Sequence, residues 1–192
     1  MKTETETASA ELERLARAAQ RGQPRAFDRL AEALLPRLRR WALAHVSSGD
    51  EADDIAQEVL LKAHRSLADF GFESRITTWL YAVTRRTAAD WHRKRHRRET
   101  LMAEHFEAPR EPALGPELDT MALTELVRLE YRRLPNRQRE VFDLADLQGI
   151  PLTEIAEMLN LSPITARVHL HRARAAIRSR ILESHPAMVE DL

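Results

Sequence analysis

The sequence predicts an all-α protein in which two small helical domains are joined by a flexible acidic linker. Apolar residues recur along most of the chain with the 3.6-residue period of a helix, and no window keeps the two-residue alternation of a strand. Pro109, Pro112 and Pro116 fall in an acidic stretch with few aromatics, which is typical of a linker. The predicted domains span residues 8–97 and 122–182, and the linker spans residues 98–121.

The composition is that of a globular protein and excludes several classes of function. The 192 residues are 31% charged and 43% apolar, which argues against wholesale disorder. Because cysteine is absent, disulfides, thiolate metal sites and a cysteine nucleophile are excluded. The longest apolar run, Trp79 to Val83, is far shorter than a membrane span, and residues 1–6 lack the apolar core of a signal peptide. We therefore expect a cytoplasmic protein without direct membrane insertion.

The formal net charge of zero is the sum of opposed blocks. Residues 51–74 carry six acids against two bases, and residues 99–131 carry eight acids against two bases. Residues 75–98 carry eight bases against Asp90 alone, and residues 163–180 carry five arginines and no acid. Two separate basic segments suit phosphate neutralisation, so the neutral total does not exclude a nucleic-acid partner.

The first informative segment, residues 51–67, has a continuous helical stripe of apolar residues. The stripe consists of Ala52, Ile55, Ala56, Val59, Leu60, Ala63 and Leu67. Asp50 is the predicted N-cap, and Asp53 and Asp54 lie in the first turn, where the helix dipole favours negative charge. The opposite face carries Asp54, Gln57, Glu58, Leu61 and Arg65. This face is either a solvated surface or a docking surface, and an apolar Leu61 among acids favours docking.

The second segment begins with a loop, residues 70–75, and continues as a predicted helix capped by Ser74. Its inward face is Ile76, Leu80, Val83, Thr87 and Trp91, and its outward face is Arg85, Arg86, Ala89, His92, Arg93 and His96. A long basic face suits phosphate contacts, and Phe70, Phe72 and Trp79 are of the type that stacks on unpaired bases. We expect Trp79 to be buried or half-buried, which makes the loop the better candidate for base contact.

The third segment has the pattern of a helix-turn-helix. Residues 152–159 form a short amphipathic helix behind Pro151, and Asn160 at the turn tolerates a left-handed backbone. Ser162 and Pro163 then provide an N-cap and a first helical residue. The buried stripe of the second helix is Ala166, Leu170, Ala173 and Ile177, and its outward residues are Thr165, Arg167, Val168, His171, Arg172 and Arg174. An ordinary αα-hairpin also fits, but an arginine-rich second helix favours binding in the major groove of DNA.

Five motifs carry a family resemblance through their order and spacing. They are Asp53-Asp54-Ile55-Ala56-Gln57-Glu58-Val59, Thr78-Trp79-Leu80-Tyr81, Leu134-Pro135-Asn136-Arg137-Gln138-Arg139-Glu140-Val141-Phe142, Glu154-Ile155-Ala156 and Leu170-His171-Arg172-Ala173-Arg174. With these motifs the chain resembles the sigma-70 family over about residues 20–180, and more specifically its extracytoplasmic-function (ECF) branch, which keeps only sigma regions 2 and 4. Departures from the family pattern are Arg86, where asparagine is frequent, Ile164-Thr165-Ala166, where Gly-Thr-Val is usual, and His169, where arginine or lysine is common.

The resemblance implies an alternative sigma factor that binds core RNA polymerase, recognises the −35 and −10 promoter elements and promotes DNA melting to start transcription of a specific regulon. The implied contacts with the β′ clamp helices of the polymerase are Asp53, Asp54, Gln57, Glu58 and Leu61. The implied −10 contacts are Phe72, Ser74, Arg75, Trp79, Arg85, Arg86, Asp90 and Arg93. The implied −35 contacts are Thr165, Arg167, Val168, His169, His171, Arg172 and Arg174. The polymerase β flap and an anti-sigma factor are further implied partners, and neither an enzymatic reaction nor a cofactor is expected.

Two other classes of function are open. A stand-alone helix-turn-helix repressor or activator would bind palindromic DNA as a dimer, but it gives no role to the polar face of residues 51–67. An enzyme, such as a metal hydrolase built on His92, His96 and Asp90, would use the i, i+4 spacing of the histidines. The neighbouring arginines would repel a metal ion, so no metal site is predicted.

Overall fold

The computed structural model describes residues 2–46, 48–102, 127 and 129–184. The chain divides into two compact units, Met1–His105 and Phe106–Leu192, here called unit 1 and unit 2. All regular structure in the described ranges is helical, which confirms the predicted all-α class. Most of the predicted linker lies outside the described residues, so the domain limits 8–97 and 122–182 stay a prediction. None of the described helices is both long and apolar enough to cross a membrane.

Unit 1 is built from four helices and a short 3-10 turn. The elements are α1 (Lys2–Gln20), α2 (Ala26–Leu43), α3 (Gly49–Ser66), the turn Leu67–Asp69 and α4 (Ile76–Met102). Helix α3 packs against both α2 and α4, and α1 packs against α2 and the 3-10 turn. The two largest core side chains, Trp41 of α2 and Tyr81 of α4, meet edge to face with ring centroids 5.3 Å apart.

The caps of α3 and α4 differ from the sequence-based prediction. Ser48, rather than Asp50, caps α3, and its Oγ accepts a hydrogen bond from the Glu51 amide at 3.1 Å. Because the helix begins at Gly49, Asp50 lies within its first turn, where its charge suits the helix dipole. Helix α4 begins at Ile76, so Ser74 lies one residue too early to be the N-cap. Oε1 of Glu13, on α1, accepts from the Ile76 amide at 2.6 Å instead.

The buried faces confirm the predicted α3 stripe and correct the predicted α4 stripe. On α3 all the predicted residues are buried except Leu60, which is half-buried. On α4 the predicted Val83 and Trp91 are half-buried, because the helix is covered by both α2 and α3 and its buried face is displaced from the predicted stripe. The buried α4 residues are Ile76, Thr77, Leu80, Tyr81, Thr84, Thr87 and Ala88.

Unit 2 contains a helix-turn-helix preceded by a shorter helix and a wide turn. Residues 129–132 are helical, and α5 (Asn136–Phe142) continues as a π-helical turn, Asp143–Leu147. Helices α6 (Leu152–Leu159) and α7 (Pro163–Ser184) follow, and both α5 and α6 pack against α7. The core includes Leu134, Val141, Leu144, Ile155, Leu159, Ala166 and Ala173.

Three buried carboxylates lie in the described part of unit 2, those of Glu130, Asp143 and Glu154. Glu130 is 3% exposed and pairs with Arg133 at 2.7 Å and with Arg180 of α7 at 3.4 Å, so it ties the start of the unit to α7. Asp143 lies in the π-helical turn, and Gln148 Nε2 donates to its Oδ2 at 2.5 Å. Burial disfavours the charged form and raises the pKa of Asp143 to about 6, although the Gln148 hydrogen bond partly opposes the shift.

Asp143→Asn should stabilise unit 2 at neutral pH. The folded state binds the Asp143 proton more tightly than the unfolded state does, so the carboxylate lowers the stability of unit 2 above about pH 6 and this penalty disappears as the pH falls toward 4. We expect the variant to raise the free energy of unfolding by about 2 to 3 kcal/mol at pH 7.5 and by much less at pH 4.5. Urea unfolding followed by far-UV circular dichroism tests this.

Tryptophan fluorescence provides an internal control, because Trp41, Trp79 and Trp91 all lie in unit 1. The fluorescence-detected transition should be the same in the wild type and in Asp143→Asn. A stabilisation that is equal at both pH values would contradict the role of the carboxylate.

Candidate functional site

The outward side of α3 presents an acidic face with one leucine at its end. This α3 face consists of Asp53, Asp54, Gln57, Glu58 and Leu61. Asp54 and Gln57 are exposed, and Leu61 is 59% exposed. Asp53 pairs with Arg39 of α2 at 2.6 Å, and Glu58 pairs with Lys62 at 2.9 Å. The exposed part of the face therefore combines negative charge and amide groups with an apolar contact, as a docking surface would.

The loop before α4 contains a cluster of three aromatic rings. Phe70 is buried and stacks on Trp79, with centroids 4.9 Å apart and planes at 28°. Phe72 lies 4.6 Å from Phe70 at a tilt of 52° and is partly exposed. Trp79 is half-buried, as the sequence predicted, and Phe70 belongs to the core. Of the three rings, Phe72 and part of Trp79 are accessible to solvent, whereas Phe70 is not.

Phe72 has an unusual backbone and a cation on its ring. Its φ is 54°, in the left-handed region that a bulky side chain rarely occupies. Cζ of Arg17, on α1, lies 3.9 Å from the centroid of the Phe72 ring. Ser74 and Arg75, which complete the loop, are exposed.

Helix α1 contacts this loop at two further points. Gln20 Nε2 donates to the carbonyl oxygens of Leu67, Ala68 and Phe70 at 3.0, 3.2 and 2.8 Å, and Glu13 accepts from the first amide of α4. No role for α1 was predicted from the sequence. The i, i+4, i+7 spacing of Glu13, Arg17 and Gln20 shows in the sequence that the three residues share one helical face. It does not show that this face contacts a loop about 50 residues farther along the chain.

Four of the predicted −10 residues, Arg85, Arg86, Asp90 and Arg93, lie on the basic side of α4. Arg86 and Arg93 are exposed, and Arg85 is half-buried. Asp90 pairs with Arg93 and lies 3.9 Å from Lys62 of α3. Lys62 also donates to Thr87 Oγ1 at 3.0 Å and pairs with Glu58. Lys62 of α3 thus lies between Asp90 of α4 and Glu58 of the α3 face.

The two histidines of the metal-hydrolase alternative do not form a metal site. His92 Nε2 lies 2.6 Å from the carbonyl oxygen of His45, so it donates a proton there and is occupied. His96 is exposed. Among the described residues, no group of three or more histidines, aspartates and glutamates is arranged to hold a metal ion.

The helix-turn-helix has the predicted turn and the predicted buried stripe. Asn160 ends α6 with φ 54° and ψ 52°. Ser162 Oγ accepts from the Thr165 amide at 3.0 Å, which confirms it as the cap of α7. Ala166, Leu170, Ala173 and Ile177 are all buried.

The predicted −35 residues differ in how available they are. Arg167, His171 and Arg172 are exposed, and Val168 is 39% exposed. Thr165 and His169 are half-buried, and Thr165 Oγ1 is hydrogen-bonded to Ser162 Oγ at 2.8 Å. Ile164 was not predicted as a contact and is 72% exposed at the start of α7.

Arg174 is engaged within unit 2. Its Nε and Nη2 donate to the two carboxylate oxygens of Asp146 at 2.8 and 2.6 Å. This bidentate pair joins α7 to the π-helical turn, and Arg174 would have to leave it in order to contact DNA.

A helix-turn-helix with an arginine-rich second helix, together with a separate unit bearing a basic helix and an exposed acidic face, defines a DNA-binding protein. Residues 30–98 match the family model of sigma-70 region 2, and residues 125–177 match that of sigma-70 region 4. The chain belongs to the sigma-70 family, in the group of ECF RNA polymerase sigma factors. Its role is therefore regulatory, in promoter recognition and the initiation of transcription.

Named relatives cover most of the chain. It is 31% identical over 173 residues to the probable RNA polymerase sigma factor RfaY of Xanthomonas campestris, which covers 84% of this chain and 42% of that protein. It is 30% identical over 173 residues to the ECF RNA polymerase sigma-E factor of Escherichia coli K12, and the match covers 84% of this chain and 90% of that protein. The sigma factor RpoE of Bartonella quintana, solved in complex with the anti-sigma factor NepR, superposes with a TM-score of 0.59 at 25% identity, covering 81% and 96%.

Ser162→Ala should destabilise unit 2 by about 1 kcal/mol, because the variant removes the side-chain acceptor at the start of α7. Ser162→Asp should retain the cap and most of the stability. Amide hydrogen exchange of α7 in the full chain measures the difference. Ser179→Ala is the matched control, since Ser179 is an exposed serine on the same helix and is hydrogen-bonded to Glu183. Equal losses of protection in Ser162→Ala and Ser179→Ala would contradict the capping role.

Proposed function

We propose that the three described surfaces carry the three contacts that a sigma factor makes in initiation. The α3 face binds the β′ clamp helices of core RNA polymerase, the Phe72 loop with the basic side of α4 binds the −10 element, and the exposed side of α7 binds the −35 element. The observation that carries the proposal is the division of faces: each helix buries an apolar side and turns a chemically distinct polar side to solvent.

For the polymerase contact, the critical residues are Asp54, Gln57 and Leu61. Their exposure supports the proposal, since burying Leu61 against a partner would remove apolar surface from water at about 25 cal/mol per Å². Asp53 and Glu58 carry negative charge at the same face, but each is paired within unit 1. We assign them to orientation of the face and to its electrostatic attraction for a basic partner.

For the −10 contact, the basic side of α4 supplies cations for phosphates and Phe72 supplies an aromatic ring for an unpaired base. Arg75, Arg86 and Arg93 are exposed and suit backbone contacts. Melting by capture of unstacked bases requires no nucleotide hydrolysis, so the protein acts without covalent chemistry or a cofactor. Asp90, paired with Arg93, holds this arginine in place.

For the −35 contact, Arg167, His171 and Arg172 are the residues with free access to base edges and phosphates. Val168 and Ile164, one helical turn apart, are apolar and exposed, so they suit contact with thymine methyl groups. Arg174 is assigned to positioning of α7 through Asp146.

Further partners follow from the same role. The β flap of the polymerase is the proposed partner of unit 2, and an anti-sigma factor is proposed because RpoE of Bartonella quintana was solved with one. Because the proposed partner is core RNA polymerase, the proposed location of the protein is the cytoplasm. A stand-alone repressor would use α7 alone, whereas this chain also carries the exposed acidic and apolar α3 face.

Asp54→Lys combined with Leu61→Ala should weaken binding to core RNA polymerase by about tenfold or more, because the double variant loses an attractive charge and an apolar contact at the same face. Fluorescence anisotropy of the labelled chain with core polymerase measures the affinity. Asp50→Lys, an exposed charge reversal in the first turn of the same helix, is the control and should bind nearly as the wild type does. Unchanged affinity in the double variant would refute the assignment of the α3 face.

Arg167→Ala and Arg172→Ala should each weaken holoenzyme binding to a promoter fragment by about fivefold to a hundredfold, since each removes about 1 to 3 kcal/mol of base or phosphate contact. The fragment is one that the wild-type holoenzyme selects from a randomised DNA pool. Arg178→Ala, which removes an exposed arginine farther along α7, is the control.

The same measurements separate this function from the repressor alternative. Core polymerase affinity should be unchanged in the α7 variants. Tight binding of the free chain to DNA as a dimer, with no binding to polymerase, would overturn the proposal in favour of a stand-alone regulator.

A further inference from the structure

Helix α1 lies before residue 30, where the match to sigma region 2 begins. Its residues Glu13, Arg17 and Gln20 fall on one helical face and contact three successive parts of the segment that leads into α4. We propose that these three residues form a clamp that sets the shape of the −10 loop and presents Phe72 to an unpaired base. The inference rests on the proposed role of Phe72 in −10 binding.

Gln20 fixes the beginning of the loop. One amide group, Nε2, reaches the carbonyl oxygens of Leu67, Ala68 and Phe70 within 3.2 Å. These carbonyls belong to the 3-10 turn and to the first loop residue, and the Leu67 carbonyl also accepts from the Phe70 amide at 3.2 Å. Gln20 therefore holds the point at which the chain leaves α3.

Glu13 fixes the end of the loop. Its carboxylate accepts from the Ile76 amide at 2.6 Å, at the positive end of the α4 dipole. The bond determines where α4 begins and how the loop enters it. With Gln20, it fixes both ends of the loop to a single rigid helix.

Arg17 acts between these two points, on Phe72 itself. A left-handed phenylalanine persists only where its surroundings hold it, and such strained residues cluster at functional sites. The Arg17 guanidinium covers one side of the ring and Phe70 contacts it from another. Because Arg17 is exposed and attracted by the ring quadrupole, it can hold Phe72 without burying it. Arg17 is thus a positioning residue for −10 recognition.

A double-mutant cycle tests the clamp. The holoenzyme is assembled with the wild type, Arg17→Ala, Phe72→Ala or both, and its affinity is measured for a fluorescein-labelled single strand carrying the −10 region of the selected promoter. We expect Arg17→Ala to weaken this binding by about three- to tenfold and to have no further effect once Phe72 is alanine. Arg17→Lys, which keeps a cation over the ring, should recover most of the affinity.

Control variants and a second readout separate positioning from folding. Arg14→Ala removes a cation from the same helix, where Arg14 is paired with Glu11, and should bind as the wild type does. Affinity for core polymerase and for a −35 duplex should be unchanged in every Arg17 variant. Gln20→Ala should reproduce the −10 defect, and Glu13→Gln, which keeps an acceptor for Ile76, should affect it less than Glu13→Ala.

The possible failures are distinguishable. Unchanged −10 affinity in Phe72→Ala would overturn the assignment of Phe72 and the clamp with it. Loss in Phe72→Ala but none in Arg17→Ala would overturn the clamp alone. An equal loss from Arg17→Ala in both backgrounds would mean that Arg17 contacts DNA directly, and this result would also overturn the positioning role.

Discussion

Unit 1 depends on the close packing of α3 between α2 and α4. Ala52, Ala56 and Ala63 line the buried side of α3, and their small side chains let both neighbours approach closely. The larger Ile55 and Val59 fill the space between them and are fully buried. Because one side of α3 is committed to this core, its acidic side has to face solvent, and the basic side of α4 is held at a fixed orientation to it.

Surface charges in this protein divide into those that hold the structure and those that are available to partners. Asp53 and Arg174 are paired with residues of neighbouring elements, whereas Asp54, Arg167 and Arg172 are exposed. Exposed ion pairs contribute little to stability, but they favour one orientation of the helix that carries the proposed contact residues. A candidate site predicted from charge alone therefore includes both residues that are paired within the protein and residues that are exposed to a partner.

The helix-turn-helix could be predicted almost completely from the sequence, whereas the surroundings of α4 could not. Asn160 and Ser162 act through hydrogen bonds to backbone groups within about four residues, and the α7 stripe follows from the helical period. How far Trp91 is buried depends instead on the packing of α2 and α3 against α4, and the cap of α4 depends on Glu13 of α1. These helices are distant in sequence from the residues that they contact. Asp50 was a reasonable cap by residue type, but the helix begins at Gly49, two residues earlier than a cap at Asp50 implies, so Ser48 takes that position.

The sequence by itself determined the all-α class, the apolar stripes, the turn of the helix-turn-helix and the alternation of acidic and basic blocks, because each depends on residue type and on near neighbours. Only the tertiary structure decided which charges are paired, which aromatic ring is accessible and what supports the loop before α4. The physical reason is distance along the chain. Glu13 and Ile76 are hydrogen-bonded across 63 residues, and a contact of that kind exists only once the helices between them have packed.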